Sequence, residues 1–216
     1  MAEHILEAHY LTKQEAQIPR EDWFEASETL QHLRKNKKFP TIWCSGCGLG
    51  VIMGALVRAI DHLGLEKDQV ALVAGIGCTA RMPVYLDFNT LHTTHGRALA
   101  FATGLKIARP DMKVIAIMGD GDALAIGGNH FIHAARRNIG ITALVVNNSI
   151  YGMTGGQYSP TTPVGMRATT APYGNVEPPF PICDLAMAAG ASYVARSTAF
   201  HRSEERRVGK ECRSRW

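Results

Sequence analysis

No apolar run in this chain of 216 residues reaches the roughly 18 consecutive positions that a membrane-spanning helix needs. The first twenty residues are polar and mixed in charge, without the apolar stretch of a secretory leader. The expectation is a cytoplasmic protein. Internal repeats and low-complexity segments are missing as well, which excludes solenoids and disordered arrays. One-sided charge is also lacking. The formal net charge is +4, yet residues 202–216 alone carry six Arg or Lys against three Glu, and the rest balances at 17 against 16. A near-neutral chain gives no argument for nucleic acid or a membrane surface as partner. Cysteine is scarce: five, at Cys44, Cys47, Cys78, Cys183 and Cys212. In a cytosolic chain that usage favours metal ligation or catalysis over disulfides.

What is present is the composition of a globular domain, 46% apolar, with 21 glycines falling largely in short clusters. Clustered Gly marks tight turns or backbone that approaches a ligand. Residues 1–39 read as a lead-in arm with a short helix within 22–35, closed by Phe39-Pro40. Residues 40–201 read as one domain. Helical spacing covers 50–63, 97–109 (stopped by Pro110), 127–137 and a segment around 186–189. Short, continuous apolar runs at Val70–Ala74, 113–118 and Thr142–Val146 predict strands, with a further strand at 192–195. Buried strands alternating with helices predict an α/β fold: a mostly parallel sheet with helices on both faces. Residues 202–216 show neither apolar period nor turn logic, and they match the translation of a common sequencing-adapter string. The expectation there is a non-native tail on a chain cut short, which would leave Cys212 without a role.

In a parallel sheet, ligands sit beyond the C-terminal ends of the strands. Gly119-Asp120-Gly121-Asp122 follows the second apolar strand, and Asn147-Asn148-Ser149-Ile150-Tyr151 follows the third. Asp120 and Asn148 are 28 positions apart, room for a loop, a helix and a strand. A magnesium ion takes six oxygens in an octahedron. The Asp120 carboxylate, the Asn148 amide oxygen and the Ile150 carbonyl would supply three. Two diphosphate oxygens and a water would complete the shell. Gly119 and Gly121 would let backbone approach the diphosphate and offer N–H groups at a helix start. The bland alternative is an ordinary strand-end turn.

Cys44-Ser45-Gly46-Cys47 precedes the first long helix, and Gly75-Ile76-Gly77-Cys78 closes the first buried strand. Two thiolates two residues apart can share a metal centre with a third arriving from a neighbouring strand end. Structural zinc is the rival, but no second Cys or His pair follows Cys78 at short spacing. Three small apolar cysteines are the other alternative.

The order Cys-x-x-Cys, Gly-x-Gly-Cys, then the Gly-Asp-Gly and Asn-Asn loops resembles the β subunits of 2-oxoacid:ferredoxin oxidoreductases. The strings from Leu91 to Arg97, from Gly127 to Asn138 and from Tyr151 to Gln157 look most like the 2-oxoglutarate type, sometimes called 2-oxoglutarate synthase. The resemblance spans about Pro40 to Ala199. It implies a thiamine-diphosphate-binding fold and three cofactors: thiamine diphosphate, Mg2+ and a 4Fe–4S cluster. Asp120, Asn148 and Ile150 would be the magnesium ligands. Cys44, Cys47 and Cys78 would be cluster ligands, with the family's fourth Cys lying C-terminal to the region present. Gly77, Cys78, His95, Gly119, Asp120, Gly121, Asn148 and Thr154 would line the cofactor, Thr154 through its hydroxyl. His95 is the catalytic candidate, hydrogen-bonding diphosphate or a substrate oxygen; Arg97 would pair with a carboxylate or else cap a helix. The implied reaction is oxidative decarboxylation of a 2-oxoacid to an acyl-coenzyme A, with ferredoxin as electron acceptor. The resemblance implies that the Glu assisting the cofactor's aminopyrimidine comes from a partner α subunit, and the lack of a Glu in a suitable context here fits that. A pyruvate or branched-chain relative, or a non-catalytic zinc-stabilised nucleotide-binding module, are the alternatives.

Overall fold

The computed structural model describes residues 30–34 and 40–199. Most of the arm, including the bulk of its expected helix, and the whole tail with Cys212 lie outside them. The arm residues that are described form a 3-10 turn, Leu30–His32, and a bridge from Leu33 to Leu86.

The centre is a four-stranded parallel sheet in the order β2-β1-β3-β4, with β1 Val70–Ala74, β2 Asn89–His92, β3 Lys113–Gly119 and β4 Thr142–Val146. Among the described residues there are five α-helices, in chain order α1 Leu49–His62, α2 Met82–Tyr85, α3 Ala98–Ala108, α4 Gly128–Arg137 and α5 Ile182–Ala188. A small antiparallel hairpin, β5 Ile150–Tyr151 and β6 Gln157–Tyr158, lies beyond the sheet.

Side chains alternate across a strand, and here both faces are packed. Leu72, Ile115 and Ile117 join Leu49, Met53, Val57 and Ile60 of α1 in one core. Those α1 residues recur at helical spacing, which puts one apolar stripe on the sheet. Val73, Val114, Ala116 and Met118 point the other way, against Leu99 and Ala102 of α3 and Phe131 of α4. The expected α/β architecture with helices on both faces is what forms.

Three sequence readings differ from the fold. Residues 192–195 form no strand; Val194 still packs against the core, but no backbone ladder includes it. Strand β2 was not expected, because its four residues are polar or exposed and only pairing with β1 defines it. Strand β4 is the sheet edge, and its residues are exposed or half-buried rather than buried. Among the described residues no helix is long and apolar enough to cross a membrane.

Candidate functional site

The register decides what meets what. Gly119 pairs with Val146, so the chain leaves β3 at Asp120 and β4 at Asn147, side by side at the sheet's C-terminal edge. The Asn148 amide oxygen, as placed, lies 2.7 Å from Asp120 Oδ1 and 3.1 Å from the Ile150 carbonyl oxygen. Two acceptor oxygens therefore face the Asn148 oxygen, an arrangement that repels unless a cation joins them or the amide turns to offer its N–H2. In an octahedron with metal–oxygen distances of about 2.05 Å, adjacent oxygens stand about 2.9 Å apart. The two observed separations bracket that edge. These residues fit a magnesium ion.

The carboxylate is held for the purpose. Asp120 is buried, and its Oδ2 accepts hydrogen bonds from Ser159 Oγ and Thr161 Oγ1, both 2.5 Å. Oδ1 is left to face Asn148. The opposite loop is fixed by the same segment: Thr162 Oγ1 donates to the Ser149 carbonyl at 2.7 Å. Ser149 has φ +59°, a costly backbone conformation for a non-glycine residue. It lies between the Asn148 amide and the Ile150 carbonyl that this one amide oxygen faces. None of Ser159, Thr161 or Thr162 was singled out from sequence, although the hydroxyl-rich run Ser159-Pro160-Thr161-Thr162 was the signal available.

Past Asp120 the chain makes a π-helical turn, Gly121–Ala125, a rare form that recurs at functional sites. Gly121 is needed there for packing: a Cβ on it would fall 2.1 Å from Tyr151 Cε1. The Cβ side of Gly121 is thus filled by an aromatic ring, which leaves its N–H as the group that could meet a diphosphate. Gly119 would meet only Thr79 Oγ1, at an ordinary 3.5 Å, and Gly77, at φ +118°, has open space where a Cβ would go. Burial raises the Tyr151 hydroxyl pKa, and the Asp120 and Asp122 carboxylates add to the rise.

His95 lies on the same edge. Its Nδ1 is 2.8 Å from Asp122 Oδ1, and its ring meets Tyr151 edge-on, centroids 6.2 Å apart. Arg97 donates to the Ile126 carbonyl at 3.1 Å, so its guanidinium serves a loop end. Thr154 Oγ1 donates to Gln157 Oε1 at 2.5 Å within the turn of the β5–β6 hairpin; its proton must leave that bond before it can serve a diphosphate.

The cysteine segment reaches this edge too. Cys47 N donates to the Cys44 carbonyl at 3.0 Å, with Gly46 at φ +79° making the tight turn. Trp43 Nε1 donates to the Cys78 carbonyl at 2.8 Å, tying that turn to the end of β1. Cys78 is pushed above the usual thiol pKa by burial, then by the Cys44 and Cys47 thiols near it. Its Sγ would be 3.7 Å from a Cβ on Gly152, which puts it beside the Ile150–Tyr151 strand. Cys44 and Cys47 are exposed, unlike buried structural cysteines. Among the described residues no three His, Cys, Asp or Glu side chains are close enough to hold one metal ion, as a zinc site would require. A 4Fe–4S cubane takes one thiolate per iron and spreads its ligands wider. Cys183 sits on α5, half-buried. A groove of about 770 Å³ runs from Cys47 and Leu49 past Asn148 and Thr161 to Phe180, within the size range of small-molecule and cofactor sites. A second, apolar cavity of about 420 Å³, between Leu99, Phe131, Val145 and Tyr193, holds none of the site residues.

Comparison with known proteins bears on the family and the fold. Residues 75–213 match the profile of the thiamine pyrophosphate enzyme C-terminal TPP binding domain. The 2-oxoglutarate synthase subunit KorB of Archaeoglobus fulgidus is 60% identical over 174 residues, 81% of this chain and 64% of that one. The same-named subunit of Methanocaldococcus jannaschii is 56% identical over 172 residues, 80% of this chain and 63% of that one. Among solved structures, a 2-oxoglutarate:ferredoxin oxidoreductase from Magnetococcus marinus with 2-oxoglutarate, coenzyme A and succinyl-CoA bound is similar at TM-score 0.79 and 41% identity, covering 86% of this chain and 63% of that one. This chain spans a little under two thirds of the length of those relatives. The chain belongs to the thiamine pyrophosphate enzyme family and, within it, is similar to 2-oxoacid:ferredoxin oxidoreductase β subunits, those of the 2-oxoglutarate type among them.

Proposed function

We propose that this chain is the cofactor-binding β subunit of a cytoplasmic 2-oxoglutarate:ferredoxin oxidoreductase, forming an acyl-coenzyme A by oxidative decarboxylation. The observation that carries the reading is the placing of the Asn148 amide oxygen 2.7 Å from Asp120 Oδ1 and 3.1 Å from the Ile150 carbonyl oxygen, each close to the edge of a magnesium octahedron. Asp120, Asn148 and Ile150 would hold magnesium and, through it, the diphosphate. Gly77 and Gly119, with the N–H groups of the turn after Asp120, border the same space. When bound, thiamine diphosphate supplies a nucleophilic ring carbon and an electron sink for the decarboxylation.

The remaining tasks fall to side chains. His95 offers a ring nitrogen to diphosphate or substrate oxygen. Cys44, Cys47 and Cys78 would carry three of the four thiolates of a 4Fe–4S cluster that passes electrons to ferredoxin. The fourth is not among the described residues. An α subunit covers the open edge and supplies the Glu for the aminopyrimidine. The 56–60% identity to 2-oxoglutarate synthase subunits supports 2-oxoglutarate over pyruvate or branched-chain substrates.

The test is metal and cofactor analysis of the intact subunit with its α partner. Asp120→Ala should lose magnesium-dependent thiamine diphosphate binding and keep iron; Cys78→Ser should do the reverse. Zinc in place of iron, with no magnesium-dependent cofactor binding, would indicate the nucleotide-binding module. Turnover with 2-oxoglutarate against pyruvate settles the substrate.

A further inference from the structure

Asp122 is a buried carboxylate to which the magnesium site gives no task. It is 3% exposed. Its Oδ1 takes the Gly96 N–H at 2.6 Å, His95 Nδ1 at 2.8 Å and, more weakly, the Ile76 N–H at 3.4 Å. Its Oδ2 is buried without a hydrogen-bond partner. The fold makes room for that oxygen: a Cβ on Gly75 would fall 2.0 Å from it. Glycine is therefore required at the end of β1 for the carboxylate to fit.

The chemistry of the contact is directional. Two backbone N–H groups on Oδ1 define that atom as an acceptor, so His95 Nδ1 must be the donor. A neutral imidazole has one N–H, and with it committed to Asp122, Nε2 carries the lone pair. The His95 side chain is 35% exposed while that of Asp122 is 2% exposed. The ring therefore reaches from a buried anchor toward the open edge, with the Tyr151 ring edge-on to it. We propose that Asp122 is a positioning residue that fixes His95 in the Nδ1–H tautomer and presents Nε2 to the cofactor edge as an acceptor. This rests on the place at the cofactor edge proposed above for His95 and replaces the hydrogen bond to a diphosphate or substrate oxygen, which would need an N–H on Nε2. It assigns the substrate-side role of His95 to a group that takes a proton or hydrogen bond, rather than one that donates.

A carboxylate acting only as a bolt between loops would leave the tautomer unconstrained, so the tautomer is the readout. In the assembled complex with only this subunit labelled with [15N]histidine, solid-state 15N NMR at alkaline pH separates protonated from lone-pair ring nitrogens. Subtracting the spectrum of His95→Gln assigns His95. The expected wild-type result is a protonated Nδ1 and a lone pair on Nε2. Asp122→Asn keeps an oxygen facing the Gly96 and Ile76 N–H groups and should retain this tautomer. Asp122→Ala should lose the preference. A wild-type His95 protonated at Nε2 overturns the proposal, and so does an unchanged tautomer in Asp122→Ala. Should the alanine variant fail to fold, the wild-type spectrum still decides. Magnesium-dependent thiamine diphosphate binding is measured on the same samples. Binding with the wrong tautomer sinks this inference alone, whereas the right tautomer without binding sinks the functional proposal.

Discussion

Replacing Asp120 by Asn tests the magnesium cradle with the least disturbance to the fold. The amide is isosteric with the carboxylate. Its oxygen can stay on Ser159 and Thr161, whose hydroxyls bond the present Oδ2. Its N–H2 then faces the Asn148 oxygen, which in the wild type confronts Oδ1. Without metal the exchange trades one hydrogen-bond pattern for another, worth within about 1 kcal/mol. For a chain of this size that moves Tm by about 3 °C at most. With metal the outcome differs, because two N–H hydrogens now point where the ion belongs. At ligand 100-fold above Kd the wild type gains about 2.7 kcal/mol, or about 8 °C. If the substitution weakens binding at least 100-fold, the gain at the same concentration falls to about 0.4 kcal/mol, about 1 °C. The assay is thermal unfolding of both proteins with and without Mg2+ and thiamine diphosphate. An Asp120→Asn protein that keeps the full ligand-dependent rise would refute the assignment.

Further expectations concern packing and thiol reactivity. Gly121→Ala pushes a Cβ into the Tyr151 ring and should cost about 1–3 kcal/mol; adding Tyr151→Ala should recover much of that, a non-additivity visible in denaturant unfolding. Leu72→Ala, at a fully buried position in the centre of β1, should cost about 2–5 kcal/mol without altering ligand-dependent stabilisation. In cluster-free protein, Cys78 should alkylate more slowly than Cys44 and Cys47 at pH 8, since it is less exposed and its thiol is raised above the usual range. The lag should shrink as pH rises and the thiolate forms, read by peptide mass spectrometry.

The sheet was legible where burial dictated sequence. Strands β1 and β3 are continuous apolar runs because both their faces are covered, and three of the long helices fall within a residue of their expected ends. Legibility failed where backbone pairing, not burial, makes the element. The polar β2 has pairing without burial; residues 192–195 have partial burial without pairing. Asp120 and Asn148 could be found because both stand at strand ends in motifs of known chemistry. Asp122 was visible but unassigned, since its partners His95 and Gly96 lie 27 and 26 residues earlier. Ser159 and Thr161 reach Asp120 across 39 and 41 residues, distances at which local pattern carries no information.

The pairing of Gly119 with Val146 has a consequence for folding. Neither half of the cation cradle exists in an isolated peptide, because the carboxylate and the amide belong to different strands. Sliding β4 by one residue would displace Asn148 by about 3.3 Å and turn its side chain to the opposite face. On the proposed assignment, affinity for the ion would be a gauge of strand alignment: a chain misaligned at this one seam could look fully folded by circular dichroism and yet be unable to retain magnesium.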